Sequence, residues 1–277
     1  MEIIKAHAVK NLCYTTAQKM VPQGVVVHST GANNPMLKRY VDAPDKVGVN
    51  LYGNHWNCER PEGRMVCVHA FIGYDDEHNV KVAEILPLDI CCWGVGSGSK
   101  GSYNYSPAYI QFEICEDGLN DKEYYEKAFV VAAEYTAHLC RTYNLPIENV
   151  VSHKEAHEKG YGCNHADPDH WMKNFGETMD DFRKKVSELL KNGDDKKASE
   201  DASDDDYIPR DGDLVSIKIG ATYYNGKTIP EWVQKQKWYV RGNSSTDRIV
   251  VDKNEKMTNS IRSPIHRKFL KVEKYHQ

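Results

Sequence analysis

"GVVVHSTG" at residues 24–31 and "NVVSHKEAHEKGYGCNHADPDHW" at 149–171 decide how this chain folds. Each opens with a short apolar, β-branched run, the composition of a buried strand. Each run ends on a histidine, and the second is followed by a cysteine, three more histidines and two aspartates. A histidine at the C-terminal end of a strand has its ring at the sheet edge, on rigid backbone, where it can reach an open cleft. Rigid placement suits a metal ligand, which tolerates little displacement. The chain has 12 histidines in 277 residues, so their gathering behind two strands points to shared chemistry.

Outward from these stretches, apolar runs alternate with helical patterns. Strands are expected at about 24–28, 64–73, 80–87, 108–116 and 148–152. A helix is expected across "DKEYYEKAFVVAAEYTAHLCRTYN" (121–144), where Phe129, Ala132, Ala133, Thr136, Leu139, Cys140 and Tyr143 form one apolar face. Leu145-Pro146 ends it. A last helix starts at a cap-like Thr178-Met-Asp-Asp181 and runs through Phe182, Val186, Leu189 and Leu190 to Asn192-Gly193. The expected class is α/β, a mixed central sheet flanked by helices over residues 1–191.

"NGDDKKASEDASDDD" (192–206) holds 7 acidic and 2 basic residues with no aromatic or branched aliphatic side chain. It cannot bury enough surface to offset its ordering entropy and reads as an acidic flexible linker. Residues 207–277 carry 14 basic against 7 acidic residues. Their short β-type segments, "DLVSIKIG", "ATYYNG", "KWYVRG" and "DRIVVD", are separated by Gly, Asn and Asp turns without a helical period, which predicts a small C-terminal all-β barrel.

Several classes are excluded. No apolar run approaches the ~18 residues that span a bilayer, so membrane insertion is not expected. "MEIIKAHAVKNLCYTTAQKM" lacks a basic stretch followed by an apolar one, so synthesis in the cytoplasm without a signal peptide is expected. The eight cysteines are irregularly spaced and form no CxxC pair, against a zinc ribbon or disulfide scaffold and in favour of reduced core thiols. The loop "WGVGSGSKGSYNYS" (93–106) lacks the phosphate-cradling GxxxxGK[ST] spacing and reads as a mobile loop, which the resemblance given below makes a groove wall. A basic, aromatic tail could meet nucleic acid, but nothing in residues 1–191 concerns nucleotides, so no nucleic-acid partner is expected. "HKEAH" (153–157) is not the HExxH zinc motif, because Lys154 stands where the glutamate general base belongs.

Zinc accepts imidazole nitrogens, thiolates and carboxylates, and hydrolytic sites use three protein ligands beside an open position. His28 and His153 are the leading candidates. His157, Cys163, His165 and Asp167 compete for the third place.

"VVVHST", "YIQFEI", "VVSHKEAH" and "HADPDHW", taken in order across roughly residues 20–190, resemble the signature regions of the zinc-dependent N-acetylmuramoyl-L-alanine amidases, the amidase-2 or peptidoglycan-recognition-protein family. The resemblance implies Zn2+ held by His28, His153 and Asp167, the last preceding Pro168, with Cys163 the alternative third ligand. It implies Glu113 as catalytic acid and base. Family members that use a tyrosine instead place it before "HF", and Asn54 of "GNHW" occupies that position here. It implies His165 as the oxyanion donor, and peptidoglycan as partner, cut between N-acetylmuramic acid and L-alanine. Trp56, Trp93, Tyr103, Tyr105 and Trp171 become candidates for a groove. Residues 207–277, through "GATYYNGKTIPEWVQKQKWYV" and "SPIHRKFL", resemble the SH3-like wall-binding domains of phage lysins. Tyr223, Tyr224, Trp232, Trp238 and Tyr239 are the expected docking aromatics. The layout implies an endolysin that a holin releases to the Gram-positive wall, or alternatively a recognition protein without catalysis.

Overall fold

The structure is a computed structural model of the chain that describes residues 1–196 and, beyond them, 209–218, 220–241, 247–254, 256 and 258–274. The chain divides into two units, Met1–Ala198 and Ser199–Gln277.

The first unit runs β1 (Ile3–Lys5), α1 (Leu12–Thr16), β2 (Val25–Ser29), α2 (Pro44–Val47), β3 (Ala70–Tyr74), β4 (Val80–Glu84), β5 (Ile110–Ile114), α3 (Lys122–Tyr143), β6 (Val150–Ser152), α4 (His153–Lys159), α5 (Asp169–Asn174) and α6 (Met179–Lys196). Its six strands lie in the order β1-β4-β3-β5-β2-β6. β3 and β4 pair antiparallel, and the other neighbours pair parallel. The sheet is therefore mixed, as expected.

Alternation along the strands divides the sheet into two faces. Val25 and Val27 of β2, Ala70 and Ile72 of β3, and Phe112 and Ile114 of β5 pack beneath α3 and α6 through Tyr124, Ala132, Leu139, Phe182 and Val186. Each large apolar side chain so buried contributes about 1.5–3 kcal/mol. The opposite face carries Phe71 and Cys115, Val26, and the polar side chains that form the site.

Helix α3 is set by its ends. Asp121 accepts a hydrogen bond from the Tyr124 amide at 3.1 Å, a cap worth about 1 kcal/mol. Asn144 closes the C-terminus in the left-handed region at φ 50°, before Leu145-Pro146. At α6, the Thr178 hydroxyl accepts from the Asp181 amide at 3.2 Å, and the Asp181 carboxylate accepts from the Thr178 amide at 3.0 Å.

The structure corrects two expectations here and adds one strand. The strand expected from 64 begins at Ala70. Cys67 and Val68 are fully buried, but their backbone serves loops, the Cys67 carbonyl accepting from the Trp93 amide at 3.1 Å. Burial alone produced the apolar run. Helix α6 continues to Lys196, past the expected linker start at 192. Gly193 costs about 1 kcal/mol in a helix already propagating, too little to end it. Linker residues 197–206 lie outside the described residues. The short edge strand β1 was not anticipated, because three residues leave no readable period.

The second unit contains β7 (Leu214–Ile217), α7 (Glu231–Gln234), β8 (Lys237–Val240), β9 (Arg248–Asp252), β10 (Ser260–His266) and β11 (Leu270–Lys274). The strands form an antiparallel sheet in the order β10-β9-β8-β7-β11. Val215, Trp238, Val240, Ile249, Val251 and Ile265 are its core. The unit is the expected β-sheet domain, with the single helical turn α7 between two of its strands. Pro230 opens it, and the Trp238 indole donates to the Val233 carbonyl at 2.9 Å. Trp238 is thus a core residue rather than a docking aromatic, whereas Tyr224 and Trp232 are exposed. All eight cysteines are free. Among the described residues no helix is long and apolar enough to cross a membrane.

Candidate metal centre

Chain direction brings the centre together. β2, β5 and β6 are parallel neighbours, so their C-terminal ends open on one edge of the sheet. His28 is the fourth residue of β2. His153 follows β6 directly and is the first residue of α4, where Ser152 and Glu155 form a reciprocal capping box. The strand therefore ends in a sharp, hydrogen-bonded corner that fixes the His153 backbone. Asp167 precedes α5, and its backbone carbonyl accepts from the Lys154 amide at 3.3 Å. Helix α5 is anchored by His170, whose Nε2 lies 3.1 Å from Glu116 Oε1. Glu116 also accepts from the Ser29 hydroxyl.

The three side chains are buried and converge. His28 Nδ1 lies 3.0 Å from His153 Nδ1 and 3.1 Å from Asp167 Oδ2. His153 Nδ1 lies 3.3 Å from Asp167 Oδ1. Among the described residues this is the group of His, Cys, Asp and Glu able to hold a metal ion, its ligand atoms all within 4.8 Å of one another. Atoms bound tetrahedrally to zinc at about 2.0–2.1 Å stand about 3.3–3.4 Å apart, close to the spacings seen. The donor chemistry, two imidazoles and a carboxylate, also fits zinc.

Both imidazoles turn the same nitrogen inward. His28 Nε2 faces Gln111 Oε1 at 3.2 Å, and His153 Nε2 faces Cys163 Sγ at 3.4 Å. This separates the competing third ligands: Cys163 stands behind His153, on the nitrogen opposite the centre, while Asp167 stands in front. His157 serves its own loop, its Nδ1 lying 3.2 Å from the Gly162 carbonyl oxygen.

Inward-facing lone pairs beside a carboxylate repel unless a cation lies between them. Burial opposes ionisation of Asp167, but hydrogen bonds from His153 and His28 outweigh it and hold the carboxyl far below its ordinary range. Burial also lowers the His153 imidazole, with Asp167 opposing the shift.

Glu113 pairs in register with His28 across β5 and β2, and with Phe71 across β5 and β3. Its side chain therefore stands beside His28 on the same face. Glu113 Oε2 is sealed from solvent and has no hydrogen-bond partner. Burial, reinforced by the charges of Asp167 and Glu116, pushes its carboxyl well above the ordinary range. His165 is more than half exposed. Its ring stacks on His153 with centroids 4.4 Å apart, and its Nδ1 lies 3.3 Å from Asp167 Oδ1.

The expected groove aromatics divide. Trp56, Tyr103 and Trp171 are core residues; Trp171 packs edge-on against Tyr125 at 5.1 Å, and Tyr103 stacks on Tyr109 at 3.9 Å. Tyr105 is exposed, and Trp93 is partly buried against the core. The 93–106 loop is tied by backbone contacts to the segment around Gly160. A Cβ on Gly98 would sit 2.4 Å from the Gly160 backbone, and the Lys100 amide donates to the Gly160 carbonyl at 2.8 Å. Sequence reading passed over Gln111, although a lone amide two residues before Glu113 in an apolar strand was the available signal: alternation puts both on the site's face.

The family model Amidase_2, N-acetylmuramoyl-L-alanine amidase, matches residues 18–170, a span containing His28, Glu113, His153 and Asp167. The chain belongs to this amidase family. A curated "Probable N-acetylmuramoyl-L-alanine amidase" of Bacillus licheniformis is 24% identical over 173 residues, 61% of this chain and 42% of its own length. The chain thus spans less than half of that relative. Among solved structures, Staphylococcus aureus hydrolase AmiA in complex with its ligand is 20% identical, with 71% of this chain and 86% of that chain covered and a TM-score of 0.48. The PlyG catalytic domain is 25% identical, with coverage of 69% and 96% and a TM-score of 0.46.

Proposed function

We propose that the first unit is a zinc-dependent amidase that hydrolyses the amide between N-acetylmuramic acid and L-alanine in peptidoglycan. The observation that carries this reading is the convergence of His28, His153 and Asp167 beside a sheltered, unpartnered Glu113 oxygen. Zinc held by the three side chains would supply Lewis acidity toward the scissile carbonyl and acidify a water. Glu113, next to His28, accepts a proton from that water and returns it to the departing amine. Its raised proton affinity suits the second half of that task. His165, oriented by stacking on His153 and by its contact with Asp167, presents an imidazole N–H to the oxygen on which negative charge develops.

The second unit is read as an SH3-like wall-binding domain, and the whole as a phage-type endolysin acting on the Gram-positive wall after release from the cytoplasm. Exposed Tyr224 and Trp232 and the excess of basic residues in 207–277 suit an anionic, sugar-rich polymer.

Purified protein incubated with Gram-positive peptidoglycan is expected to release new L-alanine amino termini without new reducing ends. Chelator should abolish the release, and Zn2+ should restore it. New reducing ends without amino groups would identify a glycosidase. Wall binding by the zinc-loaded protein with no bond cleaved would identify a recognition protein.

A further inference from the structure

The hydrogen bonds behind His28 determine which of its nitrogens carries the proton, and the deduction starts from a backbone group. The Val95 amide can only donate, and it donates to Asn104 Oδ1 at 3.2 Å. The Gly96 carbonyl can only accept, and it accepts from Asn104 Nδ2 at 3.4 Å. Together they fix the orientation of the Asn104 amide. Asn104 Oδ1 accepts from Gln111 Nε2 at 2.9 Å, so Gln111 Oε1 is the atom left facing His28 Nε2 at 3.2 Å. An amide oxygen accepts, hence His28 Nε2 carries a hydrogen, and Nδ1, which faces His153 Nδ1 and Asp167 Oδ2, is the nitrogen that can be offered to a metal. The Gln111 backbone is held as well, its amide donating to His69 Nδ1 at 2.9 Å, while His69 Nε2 donates to the Ile90 carbonyl at 2.9 Å. Gln111 and His69 have no exposed surface.

We propose that Asn104 and Gln111 are positioning residues that hold a hydrogen on His28 Nε2, so that Nδ1 is the nitrogen presented to the metal. The proposal deepens the reading of the triad as a zinc centre and rests on it. It gives the 93–106 loop a role: Asn104, reached only through that loop, sets zinc affinity without touching a ligand. Outer partners of metal-bound imidazoles typically change affinity by about 10–100-fold when lost.

The test has two parts. In metal-free protein at alkaline pH, long-range 1H–15N correlation spectra, with His28 identified by the signals missing from His28→Gln, should give the Nε2–H pattern. Asn104→Ala should introduce the other tautomer. Zinc affinity, measured by competition with a chromophoric chelator, should fall about 10–100-fold in Gln111→Leu and Asn104→Ala, and return in Asn104→Asp, which keeps the accepting oxygen. Lys100→Ala is the control, because the Lys100 side chain is exposed on the same loop and lies outside the Asn104–Gln111 relay. Its zinc affinity should equal that of the wild type. An Nδ1–H pattern in the wild type overturns the proposal, as does equal weakening in Lys100→Ala and Asn104→Ala. If Gln111→Leu fails to fold, the wild-type spectrum and the Asn104 pair still decide. Wild-type protein that binds no zinc yet gives the Nε2–H pattern overturns the zinc reading while leaving the tautomer relay in place.

Discussion

His28 and Glu113 are register partners on the parallel strands β2 and β5. Because partners across a ladder share a face, a metal ligand and a carboxyl whose Oε2 has no hydrogen-bond partner stand side by side on rigid backbone. Glu113→Gln is expected to keep zinc stoichiometry and fold while turnover of peptidoglycan falls about 10²–10⁴-fold. Metal analysis beside a rate measurement checks both halves. The same residue makes a pH prediction. Its folded-state value is raised above 4.5, so its contribution is full while it is protonated and is lost as pH rises through the raised value. In metal-free protein, urea unfolding should show the wild type losing stability relative to Glu113→Gln as pH rises from about 5.

Asp167 and Cys163 lie on opposite sides of the His153 ring. Asp167→Ala is expected to lose the bound metal, and Cys163→Ala to keep one zinc per chain with an affinity loss of about tenfold at most. Elemental analysis of the two variants in parallel decides. Metal lost from Cys163→Ala and retained by Asp167→Ala would reverse the assignment.

His69 is fully buried, with both ring nitrogens satisfied only in the neutral form. Burial pushes its imidazole down to about 4 from the ordinary 6.5. Below pH 6.5 the unfolded chain takes up a proton that the folded chain refuses, so stability present above 6.5 is lost as pH falls toward about 4. The shift corresponds to about 3 kcal/mol at most. His69→Gln, which can still donate to Ile90 and accept from Gln111, should flatten that segment of the stability profile measured by denaturant unfolding.

Arg183 of α6 grips the cap of α4. Its Nη1 donates to Glu155 Oε2 at 2.8 Å and its Nη2 to Glu155 Oε1 at 2.9 Å, while Nη1 also donates to the Val150 carbonyl at 3.0 Å. Glu155 in turn accepts from the Ser152 amide one residue before His153. Charge-assisted, two-pronged pairs of this kind contribute about 1.5–3 kcal/mol. Arg183→Ala should lower unfolding stability by that amount and weaken zinc binding, whereas Arg183→Lys should recover only part of either.

The local pattern of the chain determined much of this protein. β-branched runs ending at His28 and Ser152, the capped apolar face of α3 and the charge break after residue 191 are all short-range features, read from neighbours within a few positions. The mixed sheet followed from them. So did the pool of metal donors, because chemistry is written in residue type. Tertiary structure decided the rest. Val66–Val68 reads as strand because it is apolar, but only packing reveals burial without a ladder. Trp171 reads as a groove aromatic and Trp238 as a docking aromatic, and only the fold encloses them. The choice between Asp167 and Cys163 depends on which nitrogen of His153 faces inward, and the hydrogen on His28 Nε2 depends on Val95, Asn104 and Gln111, residues far away in the chain. Hydrogen-bond direction is a property of partners in space, with one donor and one acceptor to each contact, so no periodicity along the chain can encode it.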